Sequence, residues 1–222
     1  MPTHKSELKS LTKARLLEAA VLLFSRGGYN GTGTREIARL AEINESTLFR
    51  HYPSKKDLFW AALETRLTKL KLGRELQSAL GGDEGPELVL PLFFEFLVRT
   101  IHEQPEVMRL LYISALELPG GAEMYQKHLG SIFDSVTAYI GNCVRRGVIA
   151  GVDPRMLTLA FIGSVIATLS AYEVFVGRAL PFREAHQASA SYSEFWLRML
   201  GTAPHLQAIE SQHPIHSTHN RP

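Results

Sequence analysis

Little in this chain marks a secreted, fibrous or membrane-spanning protein. One cysteine, Cys143, stands among 222 residues, which excludes an internal disulfide and fits a reducing compartment, the cytoplasm. Runs of alternating or β-branched residues bounded by turns are missing, which argues against a sheet protein. No apolar segment reaches the roughly 18 to 20 residues of a membrane span. The stretch from Met156 to Tyr172 carries no charge, but Thr158, Gly163, Ser164, Thr168 and Ser170 interrupt it, and a buried helix is the expectation. His4, Lys5, Glu7, Lys9 and Lys13 likewise break any secretion segment near the start.

Catalytic equipment is equally sparse. Cys143 shares an apolar helical row with Tyr139 and Ile140, the setting of an inert core thiol rather than a nucleophile. No phosphate-cradling glycine loop occurs. His205, His213, His216 and His219 fall in an aperiodic tail after Thr202 that is expected to be disordered, so neither a metal nor a cofactor is expected, nor an enzyme.

What the chain does hold is an ordinary globular balance, 45% hydrophobic and 21% charged, with an uneven distribution of basic residues. The net charge of +2 hides ten Lys and Arg against five Asp and Glu in residues 1–56, and fourteen against seventeen in the rest. A basic first quarter gains meaning only alongside a nucleic-acid-binding motif.

Apolar residues recur at helical spacing almost throughout, so an all-α protein of about nine helices is predicted. The first runs from about Thr12 to Arg26, with Leu16, Ala19, Ala20, Leu23 and Phe24 as its stripe and Gly27-Gly28 as its stop. Thr34 is placed to cap a short second helix carrying Ile37, Ala38 and Ala41 inward. After a break at Glu42 to Asn44, Asn44 is placed to cap a third, Glu45 to His51, with Leu48 and Tyr52 inward. Ser54-Lys55-Lys56-Asp57 has the form of a capping box opening a long fourth helix to about Leu80. Further helices are expected at about 86 to 103, 105 to 117, 121 to 146, 154 to 178 and 186 to 200. The division is a three-helix unit over 1–54, a helical body over 55–202 and a tail over 203–222.

Two short helices about a tight turn form a helix-turn-helix. Thr34-Arg35-Glu36-Ile37-Ala38, the run from Ala41 through Asn44, Thr47 and Phe49 to Tyr52, and Ser54-Lys55-Lys56-Asp57-Leu58 resemble the signature of the TetR family. The resemblance covers about residues 10 to 60. Glu42 departs from it, standing where the family often has glycine; a positive φ there costs a non-glycine residue roughly 1 kcal/mol.

The resemblance implies that the third helix enters the major groove of double-stranded DNA, with Asn44, Glu45, Ser46, Thr47, Phe49 and Arg50 at or near the bases. Arg50 suits guanine or a phosphate, and Glu45 suits the amino group of cytosine. Thr34 and Arg35, at a helix start, are expected on phosphates, and His51 and Lys55 match backbone-contacting positions of the family. Lys5, Lys9 and Lys13 add charge without sequence preference.

A short reading helix implies a homodimer on half-sites roughly 34 to 36 Å apart, or a multiple of that. Gly163, Ala167 and Ala171 form a small-residue stripe, and Phe195, Trp196 and Met199 add bulk, so the last two helices are expected to pair with their mates. The resemblance further implies a small-molecule effector, mostly lipophilic, among the middle helices. The candidate lining residues are Trp60, Leu63, Leu67, Phe93, Phe96 and Leu97, followed by Met108, Leu111, Tyr112, Phe133, Val136 and Tyr139. The function so expected is a repressor that its effector releases from a palindromic operator. The rival is a helical small-molecule-binding or adaptor protein without DNA-binding activity.

Overall fold

The computed structural model describes residues 4–171 and 185–201, and among these every regular element is a helix. They are α1 (His4–Gly31), α2 (Thr34–Leu40), α3 (Glu45–His51), α4 (Lys55–Leu67), α5 (Arg74–Gly81), α6 (Pro86–Glu103), α7 (Pro105–Glu117), α8 (Gly121–Arg145), α9 (Pro154–Ala171) and α10 (Ala185–Met199). The expected tail lies outside the described residues, as does the end of the helix predicted to reach 178.

The tenth helix arises because the predicted fourth is two. Leu58, Phe59, Ala62, Leu63 and Leu67 make the buried face of α4, and Leu76, Ala79 and Leu80 that of α5. The nine steps from Leu67 to Leu76 would rotate a straight helix about two and a half turns, putting the two faces on opposite sides. The chain breaks between them and restarts at Gly73, the N-cap of α5. α1 also differs from expectation, starting at His4 and continuing past the glycine pair to Gly31, with non-helical angles at Gly28.

The described residues form two compact units, one built from those up to Lys71 with Thr100–Ile132, the other from Leu72–Arg99 with the described residues from Phe133 onward. In the first, Leu16, Ala20 and Phe24 of α1 are buried with Ile37 and Ala38 of α2, Leu48 of α3, the inner face of α4, and Val107 and Leu110 of α7. Each large side chain so buried contributes roughly 1.5–3 kcal/mol relative to exposure. Helices α2 and α3 are too short to stand alone, and this shared core holds them.

In the second unit, Val89, Phe93, Phe94 and Val98 of α6 are buried, as are Val136, Tyr139, Ile140 and Cys143 of α8 and Phe161 and Val165 of α9. Phe94 meets Phe161 edge-on at 6.0 Å and stacks on Tyr192 of α10 at 5.7 Å. Asp153 caps α9, its Oδ1 accepting from the N–H groups of Arg155 and Met156 at 2.8 and 2.9 Å. No helix among the described residues is long and apolar enough to cross a membrane.

Candidate nucleic-acid interface

The turn between α2 and α3 fixes how α3 is presented. Glu42 takes φ 56° and is the one described non-glycine residue with positive φ. Around it the Ile43 N–H donates to Ala38 O at 3.0 Å and the Glu42 N–H to Arg39 O at 3.1 Å, the paired bonds of a left-handed helix stop. The exposed ion pair of Glu42 with Arg15 at 2.9 Å offsets little of the strain. Glu42→Gly is therefore expected to stabilise the protein by about 1 kcal/mol, raising the melting temperature by roughly 2–4 °C. A thermal scan showing no rise would mean that the ion pair outweighs the backbone strain.

Thr34 is not the cap of α2. That position belongs to Gly33, and Thr34 Oγ1 instead donates to Glu45 Oε1 at 2.7 Å. Arg35 Nε donates to Glu45 Oε2 at 3.1 Å, so one carboxylate ties the start of α3 to the start of α2. The Thr34 bond holds the Glu45 carboxyl below the usual range, against a smaller opposing effect of burial. Asn44 occupies the N-cap of α3 without a side-chain bond. Ser54 caps α4 as predicted, its Oγ accepting from the Asp57 N–H at 3.1 Å.

Along α3, Leu48 is fully buried and Tyr52, just beyond its end, is 7% exposed, while Asn44, Ser46, Phe49 and Arg50 face outward. Thr47 and His51 are half-buried. An exposed phenylalanine, 42% accessible, beside an exposed arginine suits a surface that meets base edges. Burial, helped by Arg50, Lys9 and Lys13, pushes the His51 imidazole below its ordinary pKa. Lys13 Nζ lies 5.9 Å from the Tyr52 ring centroid and Lys55 Nζ 4.5 Å from that of Tyr29, so both ammonium groups rest over aromatic faces beside the motif.

Several residues that shape this unit carry no sequence signal. Arg66 of α4 grips Glu18 of α1 through both terminal nitrogens, at 2.9 and 2.5 Å, and its Nε lies 3.3 Å from Glu106 of α7. Glu64 of α4 pairs with Lys127 and His128 of α8 at 2.5 and 3.3 Å. Glu117 of α7 accepts from the Asn30 N–H at 2.9 Å.

The candidate effector residues fall in two groups. In the first unit Leu63 and Leu67 belong to the buried core, Trp60 and Leu111 pack against it, Met108 is half-buried and Tyr112 is exposed. In the second, Phe93, Val136 and Tyr139 are buried and Phe96, Leu97 and Phe133 half-buried. Burial pushes the Tyr139 phenol up, and the protonated hydroxyl donates to Glu84 O at 3.1 Å.

Gly163 and Ala167 lie exposed along α9, and Phe195 and Met199 of α10 are 54% and 67% exposed. Ala171 closes α9. Trp196 is half-buried and turned onto Phe161 at 4.6 Å, with Nε1 donating to Ser164 Oγ at 3.3 Å, so its ring packs within the chain. Met156 and Leu159, 64% and 53% exposed, extend the apolar face beyond the predicted stripe.

Residues 16–62, which contain the turn, α3 and the start of α4, match the family model described as bacterial regulatory proteins, tetR family. The HTH-type transcriptional regulator RutR of Escherichia coli O157:H7 is 29% identical over 161 residues, covering 69% of this chain and 71% of that protein. Among solved structures, FadR from Bacillus subtilis in complex with stearoyl-CoA superposes with a TM-score of 0.66 at 13% identity, over 85% of this chain and 98% of that one. AibR in complex with isovaleryl coenzyme A and operator DNA superposes with a TM-score of 0.65 at 18% identity, over 86% and 98%. Residues 16–62 thus form a helix-turn-helix of the tetR-family type, in a chain similar over about two thirds of its length to an HTH-type transcriptional regulator and sharing the all-helical fold of the two solved structures.

Proposed function

We propose that the protein is a homodimeric, cytoplasmic repressor of a palindromic operator that a mostly lipophilic small molecule releases. The observation that carries the DNA reading is the division of α3, where Leu48 and Tyr52 anchor the helix and Asn44, Ser46, Phe49 and Arg50 are left on its outer face. Residues 1–54, joined by Lys55 at the start of α4, read DNA, and the body over 55–202 senses and dimerises. Arg50 reads a base edge; Lys55, with Thr34, Arg35 and His51, meets phosphates. Glu45 stays oriented by Thr34 and Arg35, which makes its carboxylate a pre-set acceptor rather than a free one.

Support for the effector class comes from the apolar character of the candidate residues and from the acyl-CoA ligands of the two structures that share the fold. An effector that prefers a dimer with ill-spaced reading helices lowers DNA affinity by the difference in its binding energy between the two states.

Selection of duplexes from a random library by the purified protein, followed by fluorescence anisotropy on the winner, tests the reading. Arg50→Ala is expected to weaken binding to that duplex by about 1–3 kcal/mol, roughly 5- to 150-fold, while leaving helicity intact. Failure to enrich any duplex would favour the adaptor alternative, and an unchanged affinity for Arg50→Ala would remove α3 from the groove.

A further inference from the structure

α1 does not end smoothly. Gly28 takes φ 73° and ψ 175°, angles that glycine adopts without strain, and the helical turn restarts beyond it to Gly31. N–H groups at the start of a turn lack a carbonyl one turn behind them. That of Asn30 is taken by Glu117 of α7, whose Oε2 accepts it at 2.9 Å. The other carboxylate oxygen would lie 3.0 Å from a Cβ on Gly28, so the kink fits closely around the carboxylate. Thr32 closes the turn from within, its buried hydroxyl 2.8 Å from Gly28 O and 3.1 Å from Leu23 O.

Between Gly28 and Asn30 stands Tyr29. Its ring stacks on Phe24 at 5.9 Å and meets Phe59 edge-on at 5.7 Å. Lys55 Nζ lies 4.5 Å from the centroid of the same ring. An ammonium is attracted to an aromatic face, so where the Tyr29 ring sits decides where the head of Lys55 rests.

We infer that Glu117 is a positioning residue for DNA binding: by holding the Asn30 N–H it fixes the Gly28 kink, seats Tyr29 beneath Lys55, and so presents the Lys55 ammonium to a DNA phosphate. This rests on the reading of Lys55 as a backbone contact. The competing account is that Phe24 and Phe59 alone seat Tyr29, which leaves Glu117 with a purely structural bond.

The slope of log affinity against log salt counts the phosphates a protein neutralises, and global loosening of a folded molecule does not change it. The full-length protein is titrated with a fluorescein-labelled mixed-sequence duplex across a salt series. Lys55→Ala is expected to lower the slope by roughly one, Glu117→Ala by a similar amount, and the double variant no further than either. Glu117→Gln, which keeps an acceptor oxygen for Asn30, is expected to restore most of the slope. Should Glu117→Ala fail to fold, Glu117→Asp, too short to reach Asn30, is read in its place. A wild-type slope for the Glu117 variants, where Lys55→Ala lowers it, overturns the inference and leaves the DNA reading standing. A wild-type slope for Lys55→Ala, or no salt-dependent binding by the wild-type protein, overturns both.

Discussion

Replacing Phe59 with alanine is expected to destabilise the protein by about 3–5 kcal/mol, a fall in melting temperature of roughly 6–20 °C. The ring is fully buried and stands at the centre of an aromatic group, with Phe24 at 5.2 Å, Tyr29 at 5.7 Å and Trp60 at 5.5 Å. Removing it forfeits the transfer energy of the ring, opens a cavity, and ends edge-to-face contacts that add about 0.5–1.5 kcal/mol per pair. The same core includes Ile37, Ala38, Leu48 and Tyr52, so α2 and α3 have little else to hold them. DNA binding should therefore fail at the lower melting temperature rather than persist in a loosened body. Phe49→Ala is the contrast: with its ring 42% exposed, it should leave the melting temperature within about 2 °C of wild type. A Phe59→Ala protein that melted within that margin would show the site collapsing around the lost ring.

The helix-turn-helix was legible because its signals are local. Ile37, Ala38 and Ala41 sit at helical spacing, Leu48 and Tyr52 follow four apart, and Ser54 precedes Asp57 by the three residues that a cap requires. Even the positive φ of Glu42 was visible as a departure at one position of the motif. What stayed hidden depends on pairs far apart in the chain. Glu45 is held by Thr34 and Arg35 of the preceding helix, Arg66 by Glu18, and Asn30 by Glu117. Spacing reveals neighbours within one helix and says nothing of which helices meet. The break between α4 and α5 was hidden for a related reason. Both halves carry valid helical stripes, and the half-turn offset between the stripe ending at Leu67 and the one starting at Leu76 shows only when the two are set on one helix. Trp196 shows the limit for single residues, since bulk near a predicted interface cannot tell an outward ring from one packed on Phe161.

Leu159→Arg is expected to turn a dimer into a monomer and to weaken binding to a palindromic duplex by roughly 100-fold or more, the range set by losing the second tethered half-site. Met156 and Leu159, with Gly163 and Ala167, run along the exposed side of α9, and Phe195 and Met199 lie exposed on α10. The two helices are held to each other through Phe161 and Trp196. Four large apolar side chains gathered on two packed helices are more than scattered exposure needs, and small residues at 163 and 167 let a second helix approach closely. In a two-fold interface each substitution counts twice, so one arginine per chain buries two unpaired charges, each at a cost of several kcal/mol. Sedimentation velocity reads the assembly and anisotropy the affinity. Leu88→Arg, also on an exposed leucine but on α6, should change neither. If Leu159→Arg sediments as a dimer and binds as wild type, the interface lies elsewhere. If it sediments as a monomer yet binds the palindrome undiminished, each reading helix acts alone and pairing of the last two helices is not what sets operator affinity.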